Sequence, residues 1–262
     1  MHNAAFTALG LNWRYLAFEV RPDDLSAAIE GARIMGFAGL NLTVPHKLLA
    51  VDLVDVLDKS AKTWGAVNTI HFEPVGKERS RAVGYNTDAD AIVSAVREDL
   101  NLELRGAKVL LLGAGGAGRT AALKLASEKV EDLFLVNRTL SKAESIAAEI
   151  KKKFPTVRVT VGCPASKVDL LINATSLGLR PDDKLPFNAK HFSLGSVRRV
   201  YDMIYRPAET PLLKVARKAG CKTANGLGML LHQGAKAFEI WTGKTAPLYC
   251  MRRALEQNIY GH

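Results

Sequence analysis

Lys47 closes the turn NLTVPHK (residues 41–47), and Asp88 closes GYNTD (residues 84–88). Oxidising an alcohol by hydride transfer requires a group that takes the hydroxyl proton as the hydride leaves. Neither a lysine nor an aspartate suits that task at its free pKa. Side by side, each shifts the other's titration, and a partly desolvated lysine falls toward neutrality. The two lie 41 positions apart, so spacing alone does not pair them. Taken singly, Lys47 reads as a solvated helix lysine and Asp88 as a helix N-cap. His46 is a rival base, although a lone histidine is more often a packing or surface residue.

A second chemistry lies in residues 107–120, AKVLLLGAGGAGRT. The apolar run 108–112 ends in a glycine cluster, and a helix-forming run, 119–127, follows. Strand, tight turn and helix are the context in which Gly113, Ala114, Gly115, Gly116, Ala117 and Gly118 form a dinucleotide site. Gly113 permits the turn, Gly115 lets main chain approach a pyrophosphate, and Gly118 lets helix and strand pack closely. The helix N-terminus then offers free N–H groups to that anion. The second strand of the unit ends in Asn137-Arg138-Thr139, without the carboxylate that binds ribose hydroxyls in NAD enzymes. A guanidinium fork suits a 2′-phosphate, which points to NADP.

These motifs need elements to position them. With 262 residues, 48% hydrophobic and 24% charged, the chain has material for one large or two modest soluble domains. It shows no apolar run of membrane-spanning length and no secretory pattern. Cys163, Cys221 and Cys250 are scattered, without metal or disulfide spacing, and read as reduced cytoplasmic thiols. The +10 charge has no basic arm or aromatic-interleaved patch that would signal nucleic acid; it suits an anionic cofactor and substrate.

Along the chain, residues 2–9 read as the tail of a helix and 12–20 (NWRYLAFEV) as a strand. A helix starts after Pro22, a short strand covers 39–43, and another helix runs on from Pro45. Strands are expected at 66–72 and 81–85, then a helix near Asp88. This alternation predicts an α/β layer with a mostly parallel sheet. The polar bridge 100–105 opens a second unit, with strands at 108–112, 133–137, 157–161, 169–173 and 197–203. A helix at 210–219, a short strand ending at Ala224, and helices at 227–241 and 247–260 follow. The last helices are expected to return to the first domain. The expected fold is α/β with two domains: a discontinuous substrate domain, 1–100 plus 226–262, and a Rossmann-type NADP-binding domain, 101–225.

NLTVPHK, GAVNT, GYNTD, GAGGAGRT, NRT, NATSLG, YDMIY and NGLGMLLHQGAKAF, in this order, closely resemble the shikimate dehydrogenase family over nearly the whole chain. The resemblance implies reversible NADP-linked reduction of 3-dehydroshikimate to shikimate, in aromatic amino-acid and chorismate biosynthesis. It implies that Lys47 and Asp88 form the catalytic pair. Thr43, Asn68, Tyr205 and Gln233 match positions that hydrogen-bond the substrate. Gly113–Ala117, Asn137, Arg138, Thr139, Lys142, Met203 and Gly226 match cofactor contacts. No metal is implied, and the chain is expected to act in the cytoplasm as a monomer or homodimer on a small-molecule substrate.

Three departures accompany the resemblance. Family members usually open with a strand and a Ser-x-Ser loop that grips the substrate carboxylate, and this chain begins after that point. Ala89 stands where glycine is usual, and Lys59 where an acidic residue is common. Two alternatives follow: a quinate/shikimate dehydrogenase, or a catalytically impaired nucleotide-binding relative.

Overall fold

The computed structural model describes residues 1–76, 79–188 and 192–261. They fall into two units, Met1–Ala89 with Leu231–His262, and Asp90–Leu230.

The first unit carries helices α1 (His2–Ala8), α2 (Leu25–Ile34), α3 (His46–Leu49) and α4 (Lys59–Trp64). Its strands are β1 (Gly39–Asn41), β2 (Val56–Leu57), β3 (Thr69–Val75) and β4 (Arg79–Tyr85), in the spatial order β1-β3-β4-β2. β1 and β4 both pair antiparallel with β3, and only β2 runs parallel to its neighbour. The expectation of a mostly parallel sheet is therefore corrected for this unit. β3 and β4 are consecutive strands whose register ends with Val75 opposite Arg79, and strands so close in sequence pair antiparallel because a parallel pair needs a long crossover. Leu25, Ile29 and Ala32 of α2 bury against Val67, Ile70, Phe72 and Ala82.

Two other expectations change here. Residues 12–20 form no strand: among the described strands none pairs with them, and an extended run without a ladder partner is not a sheet member. The helix expected to run on from Pro45 stops at Leu49 and gives way to a 3-10 turn, Ala50–Asp52, before β2.

α5 (Asp88–Leu100) starts in the first unit and continues in the second. The second unit then alternates β5 (Lys108–Leu112), α6 (Gly116–Ser127), β6 (Asp132–Val136), α7 (Leu140–Lys153), β7 (Arg158–Val161), β8 (Val168–Asn173), β9 (Val197–Asp202), α8 (Pro211–Lys218) and β10 (Lys222–Asn225). All six strands are parallel, in the order β10-β9-β8-β5-β6-β7. Numbered within the unit this is 3-2-1-4-5-6, the Rossmann order, with the direction of winding reversing between β5 and β8. Val109–Leu112 and Leu170–Ile172 are fully buried, as strands covered on both faces must be.

α9 (Leu227–Thr242) begins in the second unit and ends in the first, and α10 (Leu248–Tyr260) packs on α1 there. Trp241 anchors α9 to the sheet by donating Nε1–H to the Ile70 carbonyl at 2.9 Å. Gly39 makes that possible, since a Cβ on it would overlap both the indole and the Ile70 oxygen. His2 is buried beside this anchor, 4.4 Å from the Tyr15 ring and 5.5 Å from Trp241 (ring centroids). Burial pushes its imidazole down to about 4, with the nearby N-terminal charge adding to the effect.

Candidate active site

Two main-chain links set the frame of the first unit's site. Val67 donates its N–H to the Lys47 carbonyl (2.8 Å), joining α3 to the start of β3. Asn68 sits between strands, its N–H on the Tyr85 carbonyl (3.0 Å) and its own carbonyl accepting from Leu42 (2.8 Å). Lys47 and Asp88 therefore meet although the sequence separates them. Nζ of Lys47 lies 2.7 Å from Asp88 Oδ2, with side chains 27% and 12% exposed, so bulk water screens the pair only in part.

The other Asp88 oxygen is held from behind: Asn68 donates Nδ2–H to Oδ1 at 3.0 Å. Asn68 is itself fixed, because the Thr87 N–H points at its Oδ1 (2.8 Å), which leaves the amide nitrogen facing Asp88. The same Nδ2 also reaches Thr87 Oγ1 at 2.9 Å. Thr69 Oγ1 accepts from Asn41 Nδ2 (2.9 Å), and Asn41 Oδ1 accepts from the Tyr15 hydroxyl (3.1 Å). With Asn68 on one oxygen and Lys47 on the other, the carboxylate fixes Nζ where it can pass a proton to or from a bound hydroxyl.

Asn41, Thr69, Thr87 and Tyr15 belong to this network, and the sequence reading assigned none of them. Asn41, Thr69 and Thr87 lie inside the quoted motifs, but nothing in the motifs shows which side chain faces which. Asn86 steadies the start of α5, its Oδ1 accepting from the Ala89 N–H at 3.2 Å. Ala89 is fully buried in that helix, and Lys59 is exposed at the start of α4. His46 Nδ1 is buried and finds no hydrogen-bond partner among the described residues, so nothing orients it as a base. Thr43 is exposed in the turn before α3, and Gln233 lies part-buried on α9, both in the first unit. Tyr205 belongs to the second unit and is 39% exposed.

In the second unit the glycine turn has the expected form. Gly113 has φ +106°, in the left-handed region, and a Cβ on it would stand 2.9 Å from the Ala174 carbonyl. Gly118 packs so closely that a Cβ would overlap the Gly113 carbonyl oxygen. Around Gly115 and Gly116, by contrast, a Cβ would meet nothing within 4 Å. α6 begins here with no side-chain cap, so its first N–H groups face the open side of the turn. Asn137 braces the turn, accepting the Ala114 N–H at 3.0 Å on Oδ1 and donating Nδ2–H to the Thr139 carbonyl at 2.8 Å. Arg138, Thr139 and Lys142 are exposed beyond it. Met203 donates its N–H to the Asn173 carbonyl (3.0 Å), and Gly226 lies so close that a Cβ would overlap the Met203 carbonyl. An open glycine cradle, an uncapped helix start and two cations with no carboxylate at the end of β6 fit a phosphorylated dinucleotide.

Family models cover three parts of the chain. Residues 1–70 match the shikimate dehydrogenase substrate binding domain, 94–178 match shikimate/quinate 5-dehydrogenase, and 226–256 match the shikimate 5′-dehydrogenase C-terminal domain. The shikimate dehydrogenase (NADP(+)) of Methanopyrus kandleri is 41% identical, across 99% of this chain and 90% of its own length. The chain belongs to the shikimate dehydrogenase family. Within that family, a shikimate dehydrogenase crystallised with NADP+ superposes with a TM-score of 0.88 at 39% identity, covering 98% of this chain and 89% of its own. The 5-ketofructose reductase of Gluconobacter sp. strain CHM43 superposes at 0.84 with 34% identity, covering 98% of this chain and 91% of its own. Among the described residues no helix is long and apolar enough to cross a membrane.

Proposed function

We propose that this chain is an NADP-dependent oxidoreductase that interconverts 3-dehydroshikimate and shikimate, with Lys47 and Asp88 handling the proton of the reacting hydroxyl. The observation that carries this reading is the Lys47–Asp88 ion pair at 2.7 Å, with the second carboxylate oxygen fixed by Asn68. NADP, when bound, supplies or accepts the hydride. In the direction of reduction, Lys47 Nζ gives a proton to the oxygen that becomes the hydroxyl; in oxidation it receives that proton. Asp88 holds Lys47 Nζ in place through Oδ2, while its Oδ1 accepts from Asn68. Thr43, Gln233 and Tyr205 are proposed to bind substrate hydroxyls and carboxylate. Asn68 is 1% exposed with both ends of its amide engaged, which supports its reading as the brace of Asp88 at least as well as a substrate contact. Gly113–Ala117, Arg138, Thr139, Lys142, Met203 and Gly226 are proposed to hold NADP, with Asn137 bracing the turn. Three cysteines without a disulfide fit a cytoplasmic site of action.

The test is an initial-rate assay with shikimate and with quinate, each with NADP and with NAD, on the wild type and on Lys47→Ala. The expected result is turnover of shikimate with NADP, and a kcat lowered about 10²- to 10⁴-fold in the variant at unchanged NADP affinity. An unchanged kcat removes Lys47 from the proton transfer, and faster turnover of quinate reassigns the substrate.

A further inference from the structure

Asp202 closes β9 in the second unit and is fully buried. Its register partner on β8 is Asn173, also fully buried. The carboxylate accepts three hydrogen bonds: Asn173 Nδ2–H (2.9 Å) and the Ile204 N–H (3.1 Å) on Oδ1, and the Thr210 hydroxyl (2.6 Å) on Oδ2. None of the three donors carries a positive charge. Burial pushes the carboxyl pKa up, and these three bonds work against that. Holding a charge in the interior without a counter-charge is costly, and a neutral pair could close the strand end at less expense.

The bonds from this point run into two loops. Asn173 Oδ1 fixes Thr175 through its N–H (3.0 Å) and hydroxyl (2.7 Å), while Nδ2 also reaches the Leu177 carbonyl (3.1 Å). On the other side Asp202 sets Ile204, whose carbonyl accepts the Gly226 N–H at 3.1 Å, and Met203 is tied back to the Asn173 carbonyl. The buried carboxylate thus holds the Ile204 N–H directly and residues 175–177 through the Asn173 side chain, at the carboxyl ends of two neighbouring strands. In a sheet of this order the pyrophosphate lies at the first strand's turn and the adenosine half lies over the second strand, here β6. The remaining half of the dinucleotide then extends the other way, over β8 and β9.

We propose that Asp202 is a positioning residue that shapes the two loops into the seat of the nicotinamide half of NADP. This rests on the assignment of NADP to the glycine turn. The contacts proposed for adenosine and pyrophosphate lie on β5, β6 and α6 and share no hydrogen bond with Asp202, although residues 174 and 175 pack against Gly113. The test is calorimetric titration of the full chain, as wild type, Asp202→Asn and Asp202→Ala, with NADP and with 2′-phosphoadenosine 5′-diphosphoribose, which lacks the nicotinamide. The asparagine can keep Oδ1 as acceptor but leaves the Thr210 hydroxyl without one, whereas alanine orphans all three donors. NADP affinity is expected to fall about threefold in Asp202→Asn and about tenfold in Asp202→Ala, with the fragment bound as in the wild type. Should Asp202→Ala fail to fold, Asp202→Asn decides alone. Unchanged NADP affinity in Asp202→Asn, or equal weakening of both ligands, overturns the inference. A wild type that binds neither ligand refutes the NADP assignment and the inference with it.

Discussion

Two glycines of the same turn give opposite predictions for one added methyl group. Gly115 has φ −77° and ψ −171°, a conformation open to any residue, and a Cβ on it meets nothing within 4 Å. Gly115→Ala is therefore expected to leave the fold intact, or to stabilise it by up to about 1 kcal/mol through the unfolded chain. The methyl group would nevertheless project into the open side of the turn, where main chain must approach the pyrophosphate. Losing that approach is worth at least about 1.4 kcal/mol, a tenfold rise in the NADP dissociation constant. Gly118 differs, since its Cβ would overlap the Gly113 carbonyl oxygen, and α6 and the turn would have to separate. Overpacking of that kind costs about 1–3 kcal/mol, so Gly118→Ala should lower both thermal stability and NADP affinity. Thermal unfolding without ligand and calorimetric titration with NADP measure the two effects separately. If Gly115→Ala binds NADP with wild-type affinity, the phosphates do not pass over Gly115, and the reading of the turn is wrong.

Arg138→Ala should weaken NADP about tenfold while leaving NAD nearly unchanged, because only the 2′-phosphate loses a charged partner; equal loss for both cofactors would mean that the phosphate is read elsewhere. His2 supplies a pH dependence. Its folded pKa, about 4, lies below the unfolded value of 6.5, so the unfolded chain binds the extra proton between them. The associated stability, about 3 kcal/mol, is present above pH 6.5 and is lost as pH falls through 4. Urea unfolding at pH 7 and at pH 4 should show His2→Phe losing that much less than the wild type; parallel losses would place the pH sensitivity in other groups.

The second unit was far more legible in the sequence than the first, and the reason is physical. A parallel strand covered on both faces must be apolar throughout, so LLL before Gly113 and LLIN at the end of β8 stand out from their surroundings. The first unit is assembled from strands as short as Val56–Leu57, whose existence depends on a partner rather than on their own pattern. Residues 12–20 have the composition of a strand and remain outside the sheet. α4 has both caps, with Asp58 accepting the Ser60 N–H and Gly65 closing the helix at φ +66°, but its six residues are too few to show a helical period. At the site, the residue types were readable but the pairing of Lys47 with Asp88 was not, since it follows from which strands become neighbours. Asp202 was visible inside YDMIY, yet only the register with Asn173 shows what it holds.

The frame around Lys47 also bears on how the site could change over time. Lys47 is tied to β3 through its own carbonyl, and Asn68 is fixed between strands by its own N–H and carbonyl. These bonds are indifferent to which side chains the two positions carry. Exchanging a side chain at position 47 therefore alters the chemistry on offer without dismantling the scaffold beneath it. A lineage built on this frame can exchange the proton carrier at position 47 while these main-chain bonds persist, whereas Asn68, whose buried side chain holds Thr87 and Asp88, has no such freedom.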